Sequence, residues 1–96
     1  MPTYICLIRY TEQGIRNVKG TVERARQIEQ LSQRMGGKTT AYWALGAYDA
    51  VLVGELPDDE TATAFALAVS SQGNVRTETL RAFTADEMER LLQKMP

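Results

Sequence analysis

Leu45-Gly46-Ala47-Tyr48-Asp49 separates two runs of strand-forming residues, Lys38 to Leu45 and Tyr48 to Leu56, and its reading decides the fold. Gly46-Ala47 has the length and chemistry of a two-residue hairpin turn, with Gly46 at the first central position, where a type II′ turn needs a positive φ. If Leu45 pairs with Tyr48, then Trp43 lies opposite Ala50 and Ala44 opposite Asp49, because directly opposed residues share a face. One face then carries Trp43, Leu45, Tyr48, Ala50, Leu52 and Gly54. The other carries Tyr42, Ala44, Asp49, Val51, Val53 and Glu55, and neither reads as a face left to solvent.

Upstream, Tyr4 to Tyr10 is a near-continuous apolar run of strand length, the pattern of a central strand covered on both faces. Ile15 and Val18, among Gly14 and Gly20, belong to an irregular or short helical lead-in. Thr21 is expected to cap a helix in which Val22, Ala25, Ile28, Leu31 and Met35 form one stripe, ended by Gly36-Gly37. Downstream, Pro57 stops the third strand and Asp58 caps a helix whose first turn carries Asp59 and Glu60, where the helix dipole favours negative charge. That helix, Thr61 to Val69, is apolar around most of its circumference and asks for cover on more than one side. Gly73-Asn74 ends it, and Val75 to Phe83 reads as the fourth strand. Thr84-Ala85-Asp86-Glu87 is a capping box, and Met88, Leu91, Leu92 and Met95 follow on one side of a last helix.

A βαββαβ order plus a C-terminal helix, in 96 residues, predicts a single domain over 1–96. Right-handed crossovers lead to a ferredoxin-like α+β sandwich, a four-stranded antiparallel sheet in the order 4-1-3-2 with both crossover helices on one face. The other face is then uncovered although the strands are apolar on both sides. Such a patch exceeds what monomers usually expose, which predicts a sheet-to-sheet homodimer or higher oligomer, a dimeric α/β barrel.

Composition narrows the function. The chain carries 44% hydrophobic and 24% charged residues with a net charge of -1, an ordinary globular balance with no general attraction to polyanions. No basic stripe points to nucleic acid, and no apolar run approaches the roughly 20 residues of a membrane helix. Met1-Pro2-Thr3-Tyr4 enters the first strand without a basic n-region, so a cytoplasmic protein is expected. The single Cys6 lies in an apolar run and reads as a small core hydrophobe. With no His, the usual general base and the common zinc and haem ligand are missing. Phosphate-binding and serine-hydrolase motifs are absent too, so no cofactor or metal is expected.

The run from Leu45 to Asp49, then Glu55-Leu56-Pro57-Asp58-Asp59-Glu60, then Gly73-Asn74-Val75-Arg76-Thr77-Glu78-Thr79-Leu80-Arg81-Ala82-Phe83-Thr84, resembles the GYD-domain proteins, small bacterial proteins with a Gly-x-Tyr-Asp motif. The resemblance implies the dimeric α/β-barrel type of fold and no assigned activity. Gly46, Tyr48 and Asp49 carry the naming motif.

Among the residues left to do chemistry, Asp49 is the candidate acid or base, placed by the hairpin at the start of a central strand. Its structural alternative is to accept backbone hydrogen bonds near the turn, or to pair with Arg9, Arg76 or Arg81. Tyr48 and Tyr42, with aromatic bodies and polar tips, and Arg76 with Glu78 on the fourth strand are candidate ligand contacts. Charges on an edge strand also discourage edge-to-edge pairing. Three classes of function remain: an oligomeric small-molecule-binding or interaction protein, a cofactor-independent enzyme using Asp49, and a structural oligomerisation module without ligand.

Overall fold

Alternation of buried and less buried residues along Thr3–Tyr10 makes β1, with Tyr4, Cys6 and Ile8 on the core side. The computed structural model describes residues 1–96. After β1 come the short helix α1 (Glu12–Arg16), a 3-10 turn (Val18–Gly20), helix α2 (Thr21–Arg34), strands β2 (Lys38–Trp43) and β3 (Ala50–Glu55), helix α3 (Asp59–Ser71), strand β4 (Val75–Ala82) and helix α4 (Ala85–Leu92). The sheet order is β2-β3-β1-β4 with every neighbouring pair antiparallel, the expected ferredoxin-like arrangement.

Helices α2 and α3 cover one face. Tyr4, Cys6, Ile8, Ala50 and Leu52 of the sheet pack with Leu56 and with Ala62, Phe65 and Val69 of α3, and Ile28 and Leu31 of α2, Met35 at its C-cap, Ala41 and Val75 pack against them. Val22, expected on the same stripe, is exposed. Cys6 is buried and free, and burial pushes its thiol pKa up.

Local chemistry sets the helix starts. The Asp58 carboxylate accepts the Thr61 N–H at 2.8 Å, and Thr84 with Glu87 forms a complete capping box. Those bonds hold the Asp58 and Glu87 carboxyls below their usual range. Thr21 does not cap α2. It is already helical, and its hydroxyl lies 2.8 Å from the Tyr10 hydroxyl and accepts the Trp43 Nε1–H at 3.1 Å. One side chain thereby ties the start of α2 to the ends of β1 and β2.

The β2 edge is closed from within the chain. Ser32 Oγ, fully buried, accepts the Thr39 N–H at 3.2 Å and the Thr39 hydroxyl at 3.0 Å. Glu29 Oε2 accepts the Ala41 N–H at 2.8 Å. Two backbone donors that β3 does not use are thus satisfied by α2, which blunts this edge against further pairing.

The hairpin keeps its expected register but not its expected turn. Trp43 pairs with Ala50, and the Ala44 N–H still reaches the Asp49 carbonyl at 2.9 Å. Beyond that pair the strands part. No backbone hydrogen bond closes Leu45 to Tyr48, and residues 44–49 form a loop with Gly46 at φ +123°. The loop opens toward partners on β1 and β4.

Candidate functional site

Three connections gather at one end of the sheet: the β1–α1 turn, the loop carrying Gly46, Tyr48 and Asp49, and the Gly73-Asn74 turn. The Asp49 N–H donates to the Ile8 carbonyl at 2.8 Å, and Asp49 Oδ2 accepts the Tyr10 N–H at 2.8 Å. The carboxylate thus takes the place of the next strand carbonyl and prolongs the β1–β3 ladder by one bond. It pairs with none of Arg9, Arg76 or Arg81.

Tyr48 has left the face it would occupy in a tight hairpin. Its hydroxyl donates to Glu78 Oε2 at 2.9 Å on the opposite side of the sheet, where the Arg9 guanidinium lies 4.6 Å from its ring centroid. Arg9 Nε also donates to the Ala47 carbonyl at 3.1 Å. The bond to Glu78 raises the Tyr48 phenol above its usual range, with the Glu78 charge acting the same way and Arg9 opposing. The motif loop is therefore clamped from beneath by the side chains of Arg9 and Glu78. At its tip Leu45 is wholly exposed.

A second latch lies alongside. The Thr11 hydroxyl donates to the Gly73 carbonyl at 2.6 Å, and the Thr11 N–H donates to the Asn74 carbonyl at 3.0 Å. Gln13 Nε2 reaches the Gln72 carbonyl and Asn74 Oδ1, each at 3.1 Å. A Cβ on Gly14 would run into the Asn74 carbonyl, so glycine permits this close approach.

The remaining candidates spread along the uncovered face. Tyr42, Val51, Leu7 and Glu78 form one rung across the four strands, with Arg76 opposite Arg9 on the next. Three strand spacings put Tyr42 and Glu78 about 14 Å apart. Tyr48 and Glu78 are brought together, whereas Tyr42 is not gathered with them. The next rung is Thr40, Val53, Ile5 and Leu80, and Val53, Leu80 and Tyr42 keep 37%, 42% and 56% of their surface in solvent. No helix covers this face, and only Tyr48 reaches over its motif end.

Under the motif end, Ile8, Tyr10, Thr21, Trp43 and Ala50 help line a cavity of about 40 Å³, an order of magnitude below the roughly 300 to 1,000 Å³ of small-molecule sites. A wider cleft of about 410 Å³ lies between α3 and β4, bordered by Tyr4, Asp59, Thr63, Thr77, Thr79 and Arg81. There the Tyr4 hydroxyl donates to Asp59 Oδ1 at 2.6 Å. Burial, then that bond and the Asp59 charge, push its pKa up to about 12. No three metal-ligating side chains converge. The contributions of Arg9, Tyr10 and Thr21 had no local signature, since each works through a partner far away in the chain.

Fold and loop together define a ferredoxin-like α+β protein with a pinned motif loop and one bare sheet face. The chain matches the GYD domain over residues 4–92 and belongs to that family. It is 37% identical over 94 residues to the glutamine synthetase and cystathionine beta-lyase binding protein of Thermus thermophilus, an alignment covering 95% of this chain and 99% of that one. The crystal structure of TTHA0845, also from Thermus thermophilus, superposes with a TM-score of 0.58 at 28% identity, over 88% of this chain and 96% of the other. No helix is long and apolar enough to cross a membrane.

Proposed function

We propose that the chain is a cytoplasmic interaction protein, a homodimer joined through its uncovered sheet faces that presents its motif loops to another protein. The carrying observation is the bare face around Ile5, Leu7, Val51, Val53 and Leu80, an apolar surface of the kind that marks association. The cavity under the motif loop holds only about 40 Å³, so a small ligand of one chain would have to occupy the open cleft of about 410 Å³ between α3 and β4, away from the motif. The Asp49 carboxylate is committed to a backbone N–H, which favours a structural role over that of a base.

The relative's name supports a protein client, and a clamped loop with an exposed Leu45 at its tip offers a preorganised contact for one. Calorimetric titration of the purified chain against a glutamine synthetase and a cystathionine beta-lyase tests this reading. Saturable binding to either, lost in Leu45→Ser while the dimer persists, is expected. Absence of binding to both enzymes contradicts the client assignment.

A further inference from the structure

We propose that the open cleft between α3 and β4 is a binding site for a short aliphatic amine, whose ammonium group lies against Asp59. The cleft sits on the helix-covered side of the sheet, away from the motif loop and the bare face, so the inference is independent of the interaction reading. It exists because neither wall brings bulk to it. The inward positions of β4 are Thr77, Thr79 and Arg81, which pair across to Ile8, Cys6 and Tyr4. Those β1 residues meet Phe65 and Val69 in the core, whereas the side of α3 turned to β4 offers only Ala62, Thr63 and Ala66. The space left is about 410 Å³, within the roughly 300 to 1,000 Å³ of small-molecule sites.

Hydrogen bonding selects the guest. The donors around the cleft are committed within the chain. The Tyr4 hydroxyl donates to Asp59 Oδ1 at 2.6 Å, and the Thr63 hydroxyl donates to the Asp59 carbonyl at 2.8 Å. Arg81 donates to the carbonyls of Thr3 and Ala82 and pairs with Glu87 at 3.5 Å. The acceptors are left over. Asp59 Oδ2 receives no hydrogen bond, Asp59 joins no ion pair, and the hydroxyl oxygens of Tyr4 and Thr63 keep lone pairs. A guest must therefore bring protons, and an ammonium brings three together with the charge that answers Asp59.

An anion is poorly matched. The positive end of α3 is already answered by Asp58, which accepts the Thr61 N–H at 2.8 Å, and by Glu60 in the same turn. The Arg81 guanidinium is answered by Glu87. From Asp59 to Ala66 the helical wall runs about 10 Å, which gives a chain of a few carbons room to lie against Ala62 and Ala66.

Amide chemical-shift titrations with butylamine, butanol and butyrate, at fixed pH and ionic strength, hold the chain length constant and vary the head group. Butylamine should produce saturable shifts at Asp59, Thr63, Thr77 and Thr79, with a dissociation constant in the low-millimolar range or tighter, and the other two should produce none. Asp59→Asn keeps an oxygen for the Tyr4 hydroxyl and should weaken butylamine about 10-fold or more, the worth of a hydrogen bond to a charged group. Ala66→Leu fills the cleft while leaving Asp59 in place, and should abolish saturation. Butylamine that leaves these amides unshifted, butanol or butyrate that binds as tightly, or an affinity that both variants leave unchanged would overturn the amine site. Binding of butyrate alone would assign the cleft to Arg81 and an anion. None of these results bears on the homodimer or its client.

Discussion

Asp49 Oδ2 accepts the N–H of Tyr10 at 2.8 Å, so a side chain from the motif loop occupies the hydrogen-bonding position that a strand carbonyl would hold. That bond accounts for an acid at this place and, with the Asp49 N–H to Ile8 and the Tyr48 hydroxyl to Glu78, draws the loop out of the tight turn. Asp49→Ala should cost about 1.5 to 3 kcal/mol, the range for hydrogen bonds to charged groups. Asp49→Asn, which keeps an acceptor oxygen, should cost less. Urea unfolding of the two variants measures the difference, and equal losses would contradict the splice.

Tyr48 and Glu78 make a second testable pair. Glu78→Gln removes the charge that raises the Tyr48 phenol while keeping an acceptor. Near-ultraviolet titration should therefore show one tyrosine ionising at lower pH than in the wild type. An unchanged titration would place the Tyr48 hydroxyl elsewhere.

Tyr4 predicts an alkaline weakness. Its phenol ionises near 12 in the folded chain against 10.0 in its ordinary state, so the folded form holds its proton more tightly than the unfolded form does. The associated stability is complete below about pH 10 and is lost as pH rises from about 10 through about 12. Tyr4→Phe should flatten the profile of denaturation midpoint against pH over that interval. A parallel decline in both proteins would remove Tyr4 as the cause.

The closed β2 edge rests on α2. Ser32→Ala leaves the buried Thr39 N–H without its partner and should cost about 1 to 3 kcal/mol. Faster amide exchange at Thr39 than at neighbouring β2 positions locates the effect. A loss of stability without that local change would point to packing instead.

Two glycines should separate clash from strain. Gly14→Ala drives a methyl into the Asn74 carbonyl and should cost about 3 kcal/mol, the upper end for overpacking. Gly46→Ala meets open space and should cost only the positive-φ penalty of about 1 to 2 kcal/mol. Thermal unfolding ranks them, and the reverse order would refute the latch at Asn74.

Features governed by neighbours in sequence were legible before the structure. Asp58 and Thr84 announce their helices through bonds three residues long, and the two-residue period of a strand put Trp43 opposite Ala50. Long-range partners were not legible. Tyr48 changes face because Glu78 and Arg9 receive it from other strands, and Thr21 gives up a capping role to hold Tyr10 and Trp43. Val22 fits the apolar stripe of α2 by spacing yet lies where no element covers it.

The central claim is that the bare sheet face joins two copies. Sedimentation equilibrium of the wild type and of Leu80→Arg tests it most directly, because Leu80 lies in the middle rung of that face, opposite Ile5. The wild type should sediment at twice 10.7 kDa, and the folded variant as a monomer. A wild type that remains monomeric, or a Leu80→Arg protein that stays fully dimeric, would contradict the account.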